Sequence, residues 1–157
     1  MRVAVFILLL AAALGYAAWR GGGPERTMAG IATSMVVSDQ LLHLFIPPGY
    51  LSIDMGHLAI DLMGASATSA LALFAYRFWP MFAAVLHILP LLAHTSRALD
   101  VSMDPAAYMI MQVAPSWIVP PLLIVATWLH GRRVQRSGSE PSWRGFSQAS
   151  IPRATTR

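Results

Sequence analysis

The sequence contains no cysteine and no lysine, and only 11% of its 157 residues are charged. Without cysteine there is no disulfide, no thiolate nucleophile, no zinc ribbon and no cysteine-ligated iron–sulfur cluster. Soluble domains carry roughly a quarter charged residues. With 56% hydrophobic residues, the apolar surface is too large to be hidden inside so small a globule. The composition therefore predicts a membrane protein made of one bundle, without a separate soluble domain.

The sequence also lacks the familiar motifs of hydrolases and nucleotide-binding enzymes. It has no phosphate-cradling glycine loop, no HExxH and no GxSxG. Ser38, Asp39 and His43 supply the residue types of a hydrolytic triad, but neighbours on one helix offer no oxyanion hole. The basic residues are too sparse to indicate nucleic-acid binding. These absences favour a protein that is not an enzyme.

What the sequence does contain is five apolar segments, each approaching or exceeding the ~30 Å hydrocarbon core at 1.5 Å per residue. They lie at residues 3–19, 27–46, 51–76, 78–95 and 107–129. We predict an all-α transmembrane bundle over residues 1–130, with a tight turn at Pro47-Pro48-Gly49 and Ser52 as a helix cap. The fifth segment should kink, because prolines remove helical hydrogen bonds. Residues 131–157 are polar and predict a flexible cytoplasmic tail.

Arginine placement indicates the topology. If all five segments span an inner membrane and the C-terminus is cytoplasmic, most arginines fall inside and only Arg2 and Arg97 fall outside, as the positive-inside rule requires. The alternative takes residues 1–19 as a cleaved signal peptide, which would reverse this bias. We expect five spans in a bacterial inner membrane, with the N-terminus outside.

Polar residues are grouped on faces of three predicted helices. Asp54, His57 and Asp61 are spaced to share one face of the third helix. The pairs Asp39/His43 and His87/His94 do the same on the second and fourth helices. Counted from the helix ends, all seven side chains fall within about 15 Å of the outer surface. We expect them to form one cluster there together with Gln112, and we expect no comparable cluster in the inner half.

A carboxylate near the bilayer centre costs roughly 2.5 to 3.5 kcal/mol, so Asp61 must face protein or water. His57, Asp61 and His87 are candidate ligands for a divalent cation. His57 and His87 are also candidate axial ligands for haem b. A proton path would use the same groups without a cofactor, and a purely structural role would make them hydrogen-bonded links between helices.

The polar tail has two possible interpretations. It can be a solvated segment, or its arginines can contact anionic lipid headgroups. The residues that the second reading assigns to headgroups are Arg132, Arg133, Arg136 and Arg144.

One part of the chain resembles a known group of proteins. It comprises YRFWPMFAAVLHILPLLAHTSRALD and AYMIMQVAPSWIVPPLLI, within residues 76–124. These runs resemble short, uncharacterised bacterial multi-pass membrane proteins that share an Arg-aromatic-Trp-Pro helix start, a histidine-bearing helix and a last span rich in Trp and Pro. The resemblance implies membrane class and no catalytic residue.

The sequence thus favours an accessory subunit or a small transport-like protein, with a haem- or metal-binding redox subunit as the alternative. The expected partners are membrane lipids, together with a larger membrane complex or further copies of the chain.

Overall fold

The computed structural model describes residues 1–46, 53–100 and 102–144. The turn predicted at residues 47–49, the cap at Ser52 and residues 145–157 of the tail lie outside these ranges. The helices are α1 (Arg2–Arg20), α2 (Gly23–Phe45), α3 (Met55–Phe74), α4 (Trp79–Leu99), α5 (Pro105–Val113) and α6 (Val119–Ser137). A 3-10 turn at Ala114–Trp117 joins α5 to α6. Five stretches are long and apolar enough to cross a membrane, with α5 to α6 counted as one.

Successive spans run alternately up and down, with α5 and α6 following one another in the same direction, and the bundle therefore has two ends. Helix α3 packs along α4 and α2, α1 packs against α6 and α2, and α5 packs against α4. We call the end formed by Phe45, Met55, Leu99 and Pro105 the histidine end. The opposite end, formed by Arg20, Gly23, Trp79 and the last turns of α6, is the arginine end. The predicted all-α bundle of about five spans is confirmed.

The buried core consists largely of small side chains. Ala13 and Ala17 of α1, Ala75 after α3 and Ala83 of α4 are fully buried, and Met28 of α2 fills the space among them. Small residues let helix backbones approach closely, which is how helices pack in a bilayer. Large apolar side chains instead cover the outside of the bundle, for example Val3, Ile7 and Leu8 on α1. This distribution is compatible with a multi-pass membrane protein.

Local side chains set where the helices begin. Asp54 caps α3, since its Oδ1 accepts a hydrogen bond from the N–H of His57 at 3.0 Å. Asp104 caps α5 by accepting from the N–H groups of Ala106 and Ala107, and Pro105 follows at a position whose N–H is not needed. The sequence placed Asp54 within the first turn of its helix; it is the cap itself.

Several predicted boundaries differ from the structure. Helix α2 begins at Gly23 rather than at residue 27, because Glu25 accepts a hydrogen bond from the N–H of Gly22 and closes the first turn. Helix α4 continues past residue 95 to Leu99. Helix α6 continues to Ser137 and ends at Gly138, whose φ of 74° favours glycine. The tail therefore does not begin at residue 131: Gly131 is tolerated within the helix, and Arg132, Arg133 and Arg136 are helical.

The predicted kink in the fifth span is a break. Pro115 lies in the 3-10 turn and Pro120 and Pro121 lie in the first turn of α6, where missing N–H groups cost least. The break faces the histidine end of the bundle and places Gln112, Val113 and Ser116 beside α2 and α3.

Candidate functional site

The first group of polar side chains at the histidine end joins α2 to α3. Asp39 Oδ1 lies 3.2 Å from His57 Nε2 and 3.6 Å from His43 Nε2. Asp39 and His43 share a face because they are four residues apart on α2. The ring centroids of His43 and His57 are 5.0 Å apart. One carboxylate oxygen therefore faces two imidazole nitrogens.

Each member of this group has a second partner behind it. His43 Nδ1 lies 3.2 Å from the carbonyl oxygen of Ile46, and Asp39 Oδ2 accepts a hydrogen bond from the Gln40 amide at 3.2 Å. His57 Nδ1 lies 2.8 Å from Asp54 Oδ2, although the approach is too bent for a linear hydrogen bond. These contacts fix which ring nitrogens face Asp39.

A second group joins α3, α4 and α5. His94 Nε2 lies 3.0 Å from Asp61 Oδ2, and His94 Nδ1 lies 2.7 Å from the hydroxyl of Tyr108. The amide nitrogen of Gln112 lies 3.2 Å from the same Nε2. Tyr108 is fully buried and His94 is nearly so. The imidazole is thus held between a carboxylate and a phenol in an interior with little water.

Hydrogen bonding in this second group can reverse direction. With a proton on Nε2, His94 donates to Asp61 and accepts from the Tyr108 hydroxyl; with a proton on Asp61, the carboxyl donates to Nε2 and Nδ1–H donates to the hydroxyl oxygen. The amide N–H of Gln112 can donate to Nε2 only in the second arrangement, where Nε2 carries no proton. The two arrangements differ by one proton, which the group can take up or release.

The two groups meet at a cavity of about 330 Å³ beside the break in the fifth span. The polar residues that line it are Asp39, His43, His57, Asp61, Gln112 and Ser116. Near its edge, the rings of Phe6 and Trp117 stack with centroids 5.1 Å apart. A larger groove of about 590 Å³ lies between α1 and α2, but no carboxylate or imidazole lines it. The smaller cavity is therefore the candidate site.

Charged residues surround the cluster at the end of the bundle. The side chain of Arg97 is buried, donates a hydrogen bond to the carbonyl oxygen of Met103 and lies 5.9 Å above the ring of Tyr108. The sequence placed Arg97 in the outer loop, but it lies in the last turn of α4. Beyond it, hydrogen bonds from the hydroxyl and the N–H of Ser102 hold the pKa of the exposed Asp100 carboxyl below its usual value.

Three of the sequence predictions need restating. His87 does not line the cavity: its Nδ1 is 2.7 Å from the carbonyl oxygen of Ala83, although its ring is close enough to Asp61 to interact with it electrostatically. Among the residues that the structure describes, Asp39, His43 and His57 form a group whose ligand atoms all lie within 4.8 Å of one another, whereas the predicted set of His57, Asp61 and His87 does not. Haem ligation by His57 and His87 stays a hypothesis, since only His57 faces the cavity.

The arginine end holds a second polar network. The sequence interpretation is therefore wrong in expecting no polar cluster in the inner half of the bundle. Glu25 is fully buried and accepts a hydrogen bond from the indole N–H of Trp79 at 3.1 Å. Arg77 Nε lies 3.9 Å from Glu25, and its guanidinium lies 2.9 Å from Glu140. His130 Nδ1 is 2.7 Å from the same Glu140 carboxylate. Two carboxylates therefore balance the charge buried at this end.

The segment after α6 folds back and completes this network. The N–H of Tyr76 donates to the carbonyl oxygen of Ser142 at 3.0 Å, and the N–H of Arg144 donates to that of Phe74 at 2.8 Å. The guanidinium of Arg77 also donates to the carbonyl oxygen of Pro141 at 2.6 Å. We call residues 138–144 the C-terminal clasp.

The arginines assigned to lipid headgroups fall into two kinds. Arg133 donates to Glu140 and Arg144 donates to the carbonyl oxygen of Ala75, so both are held by the protein. Arg136 is exposed, and exposed Arg132 lies 4.9 Å above the ring of Trp128. An arginine stacked on a surface tryptophan is typical of a membrane interface, so Arg132 and Arg136 remain candidates for headgroup contact.

The residues that the sequence interpretation missed are Tyr108, Glu25 and Glu140. Tyr108 could have been found, because it lies four residues before Gln112 and both therefore share one face of α5. Glu25 and Glu140 gave no comparable signal, since their partners are distant in sequence.

No protein-family model, no curated protein and no solved structure matches this chain. The resemblance noted over residues 76–124 therefore stays a prediction. Fold and site define a class: a small bundle of five helical stretches compatible with a membrane, with a cavity lined by Asp and His at one end.

Proposed function

We propose that this chain is a small, transport-like protein of the bacterial inner membrane, which binds a cation in the cavity at its histidine end. Cation here means a proton or a metal ion. Enzymatic activity is not part of the proposal.

The observation that carries this proposal is the position of the cavity at a broken membrane span. Discontinuous helices are where transporters place their ion sites, because backbone that is not helical is tolerated only where it lines a cavity or is buried in protein. The 3-10 turn at Ala114–Trp117 interrupts the fifth span beside Asp61 and Gln112. The break in the span and the cavity beside it therefore both support an ion site at this position.

The energetics of Asp61 support the same function. A carboxylate at membrane depth costs several kcal/mol unless it is paired or neutralised, and such residues commonly mark ion or proton pathways. Asp61 is paired with His94 and also faces the cavity. It can therefore exchange a cation with the cavity, while the group that it forms with His94 and Tyr108 takes up or releases a proton.

The charge distribution supports an orientation with the histidine end outside. Within residues 1–144, Arg2 and Arg97 lie at this end, and the other arginines lie at the opposite end. These are Arg20, Arg26, Arg77, Arg132, Arg133, Arg136 and Arg144. Positively charged residues flank spans on the cytoplasmic side. In this orientation the cavity takes its cation from the outer side.

A competing role is that of an accessory subunit, in which the polar groups only hold helices together. Interhelical hydrogen bonds of this kind contribute about 0.6 kcal/mol on average, and up to about 1.7. This role predicts that the polar groups affect stability and leave ion movement untouched.

The deciding experiment measures flux with purified protein in lipid vesicles. Proton uptake is followed with an enclosed pH-sensitive dye, and Zn²⁺ uptake with an enclosed zinc indicator. We expect Asp61→Asn, which keeps a hydrogen-bond acceptor for His94, to lower the flux of the transported cation by about tenfold or more. Thr68→Val is the matched control: Thr68 is a buried polar residue on the same helix, but its hydroxyl donates only to carbonyl oxygens of that helix, those of Gly64 and Ala65.

The two roles give opposite results. Unchanged flux in Asp61→Asn together with a lower unfolding temperature would show that Asp61 is a structural link and would refute transport. An equal loss of flux in Thr68→Val would mean that any disturbance of α3 stops transport, which would also remove the case for Asp61.

A further inference from the structure

We propose that Asp39, His43 and His57 form a binding site for a divalent transition-metal ion of the Zn²⁺ class. The inference rests on the proposed function in one respect, since it names the kind of cation that the cavity admits. Metal binding itself can be measured whether or not transport occurs.

The distances between the three ligand atoms fit one metal ion. Zinc bonds to His nitrogen and carboxylate oxygen are about 2.0–2.2 Å long, so two ligands of a tetrahedral ion lie about 3.4 Å apart. Asp39 Oδ1 lies 3.2 Å from His57 Nε2 and 3.6 Å from His43 Nε2. All three ligand atoms lie within 4.8 Å of one another, so side-chain adjustments can bring them around one ion.

The proton on His43 is placed by its neighbour behind the ring. A backbone carbonyl oxygen only accepts, so the ring nitrogen beside it must donate. His43 Nδ1 faces the carbonyl oxygen of Ile46 and therefore carries a proton. In the neutral ring, Nε2 then presents a lone pair toward Asp39.

His57 is held in the same tautomer by a carboxylate. A proton on Nδ1 attracts Asp54 Oδ2 at 2.8 Å, whereas two lone pairs would repel one another at that distance, although the approach is too bent for a linear hydrogen bond. Asp54 is fixed in turn, because its other oxygen caps α3. The neutral ring of His57 then also presents an Nε2 lone pair toward Asp39.

Three hydrogen-bond acceptors thus converge without a donor among them. Such an arrangement needs a positive charge at its centre, either an extra proton on an imidazole or a metal ion. Metal-binding histidines almost always donate their second N–H to a carboxylate or a backbone carbonyl, and metal-binding carboxylates are hydrogen-bonded as well. Ile46 and Gln40 provide such hydrogen-bond partners for His43 and Asp39, and Asp54 lies beside His57 Nδ1 without a linear hydrogen bond to it. These outer contacts favour the metal ion.

The ligand set also selects the class of ion. Two imidazoles and one carboxylate suit Zn²⁺, Mn²⁺ or Fe²⁺, whereas Cu⁺ prefers sulfur and Ca²⁺ and Mg²⁺ prefer oxygen throughout. Three protein ligands leave a coordination position open. His57 and Asp39 also line the cavity that holds Asp61 and Gln112, so that position is open to water or to a group that carries the ion onward.

The test measures metal binding by chelator-treated protein in detergent, without membrane transport. Zn²⁺ is titrated by calorimetry and Co²⁺ by its visible absorption, which reports nitrogen and oxygen ligands, with Mg²⁺ as the comparison ion. We expect one Zn²⁺ per chain and a higher unfolding temperature in its presence. Asp39→Asn and His43→Gln, both at partly exposed positions, should each weaken binding by about a hundredfold. Asp54→Asn should weaken it by about ten- to a hundredfold, as loss of an outer partner does.

Asp100→Asn is the matched control, because Asp100 is an exposed carboxylate at the same end of the bundle but lies outside the cavity and the proposed ligand set. It should bind Zn²⁺ within about threefold of the unchanged protein, a difference of less than 1 kcal/mol. Loss of binding in Asp100→Asn with binding retained in Asp39→Asn would overturn the assignment. So would the absence of saturable Zn²⁺ binding by a folded sample.

Failure of this inference differs from failure of the proposed function. Zn²⁺ binding without any flux in vesicles would refute transport and leave the metal site intact. Proton flux without Zn²⁺ binding would refute the metal site and leave transport of protons intact.

Discussion

Glu25 combines complete burial with an ionisable side chain, and its partners come from two parts of the chain. One carboxylate oxygen accepts from the indole N–H of Trp79, and the other accepts from the N–H of Gly22. Arg77 Nε lies 3.9 Å away. Hydrogen bonds to a charged group are worth more than neutral ones, and a buried donor left without a partner costs the full desolvation free energy.

We predict that Glu25→Gln lowers the free energy of unfolding by about 1–3 kcal/mol. The amide keeps one acceptor oxygen but adds a second donor facing the N–H of Gly22 or of Trp79. The measurement is thermal unfolding in detergent. Asp100→Asn makes the same chemical change on an exposed carboxylate and should stay within about 0.5 kcal/mol of the unchanged protein. Equal stability of both variants would indicate that the hydrogen bonds accepted by Glu25 contribute no stability.

Individual residues could be predicted where they interact with neighbours in sequence. Asp39 with His43, and Asp54 with His57, are separated by one helical turn, and their shared faces follow from helix geometry. Glu25 precedes the predicted start of its helix, and its contact with Trp79 spans 54 positions. No local pattern encodes such a contact. His87 shares a face with His94 and interacts electrostatically with the same Asp61, but its ring nitrogen contacts the carbonyl oxygen of Ala83 instead.

At the scale of the helical elements, the break in the fifth span is the feature with a functional consequence. Pro115 cannot donate a helical hydrogen bond, and the chain tightens into a 3-10 turn that presents Ser116 and Trp117. Ser116 lines the cavity and Trp117 stacks on Phe6 of α1. The proline therefore shapes the cavity through the backbone.

We predict that Pro115→Ala reduces cation flux by about tenfold while leaving the protein folded. Alanine restores the missing N–H and favours a continuous helix, which turns Ser116 and Trp117 away from their present positions. Vesicle flux and thermal unfolding are measured together. Pro121→Ala is the control, because the exposed Pro121 lies in the first turn of α6, where an N–H has no helical partner. Equal flux in both variants would contradict a role for the break.

Helix number and direction were predictable because length, hydropathy and proline positions are local properties. The ends of the helices were less predictable. Helix α2 starts before its predicted first residue because Glu25 caps it, and α4 continues for one turn beyond its predicted end. The buried face of α3 is formed by Gly64, Ala65, Thr68 and Leu71, and this rotation was not predictable. Rotation depends on the neighbouring helices, which the sequence of one helix does not specify.

At the scale of the whole molecule, the C-terminal clasp ties the end of the chain to the α3–α4 connection. Glu140 contacts Arg77, His130 and Arg133, so one exposed segment supplies the main countercharge for a buried arginine. Removing one partner of a buried ion pair is strongly destabilising, because the remaining charge stays buried.

We predict that a chain ending at Ser137 has a markedly lower unfolding temperature than a chain ending at Arg144. The difference between these two truncations isolates residues 138–144. Glu140→Gln in the full chain should reproduce most of the loss, at about 3 kcal/mol, whereas Arg136→Gln should have little effect. If the two truncated chains unfold at the same temperature, the clasp contributes no stability.

The proposed orientation is also a property of the whole molecule, and the absence of cysteine makes it directly testable. Ser102 lies at the histidine end and Ser139 at the arginine end, and both are exposed. We predict that a membrane-impermeant thiol reagent labels Ser102→Cys in intact cells and labels Ser139→Cys only after the membrane is opened. The unsubstituted chain provides a background free of thiols. The reverse pattern would place the Asp/His cavity on the cytoplasmic side, where it would have to take its cation from the cytoplasm, and labelling of both positions in intact cells would mean that the bundle does not cross the membrane as proposed.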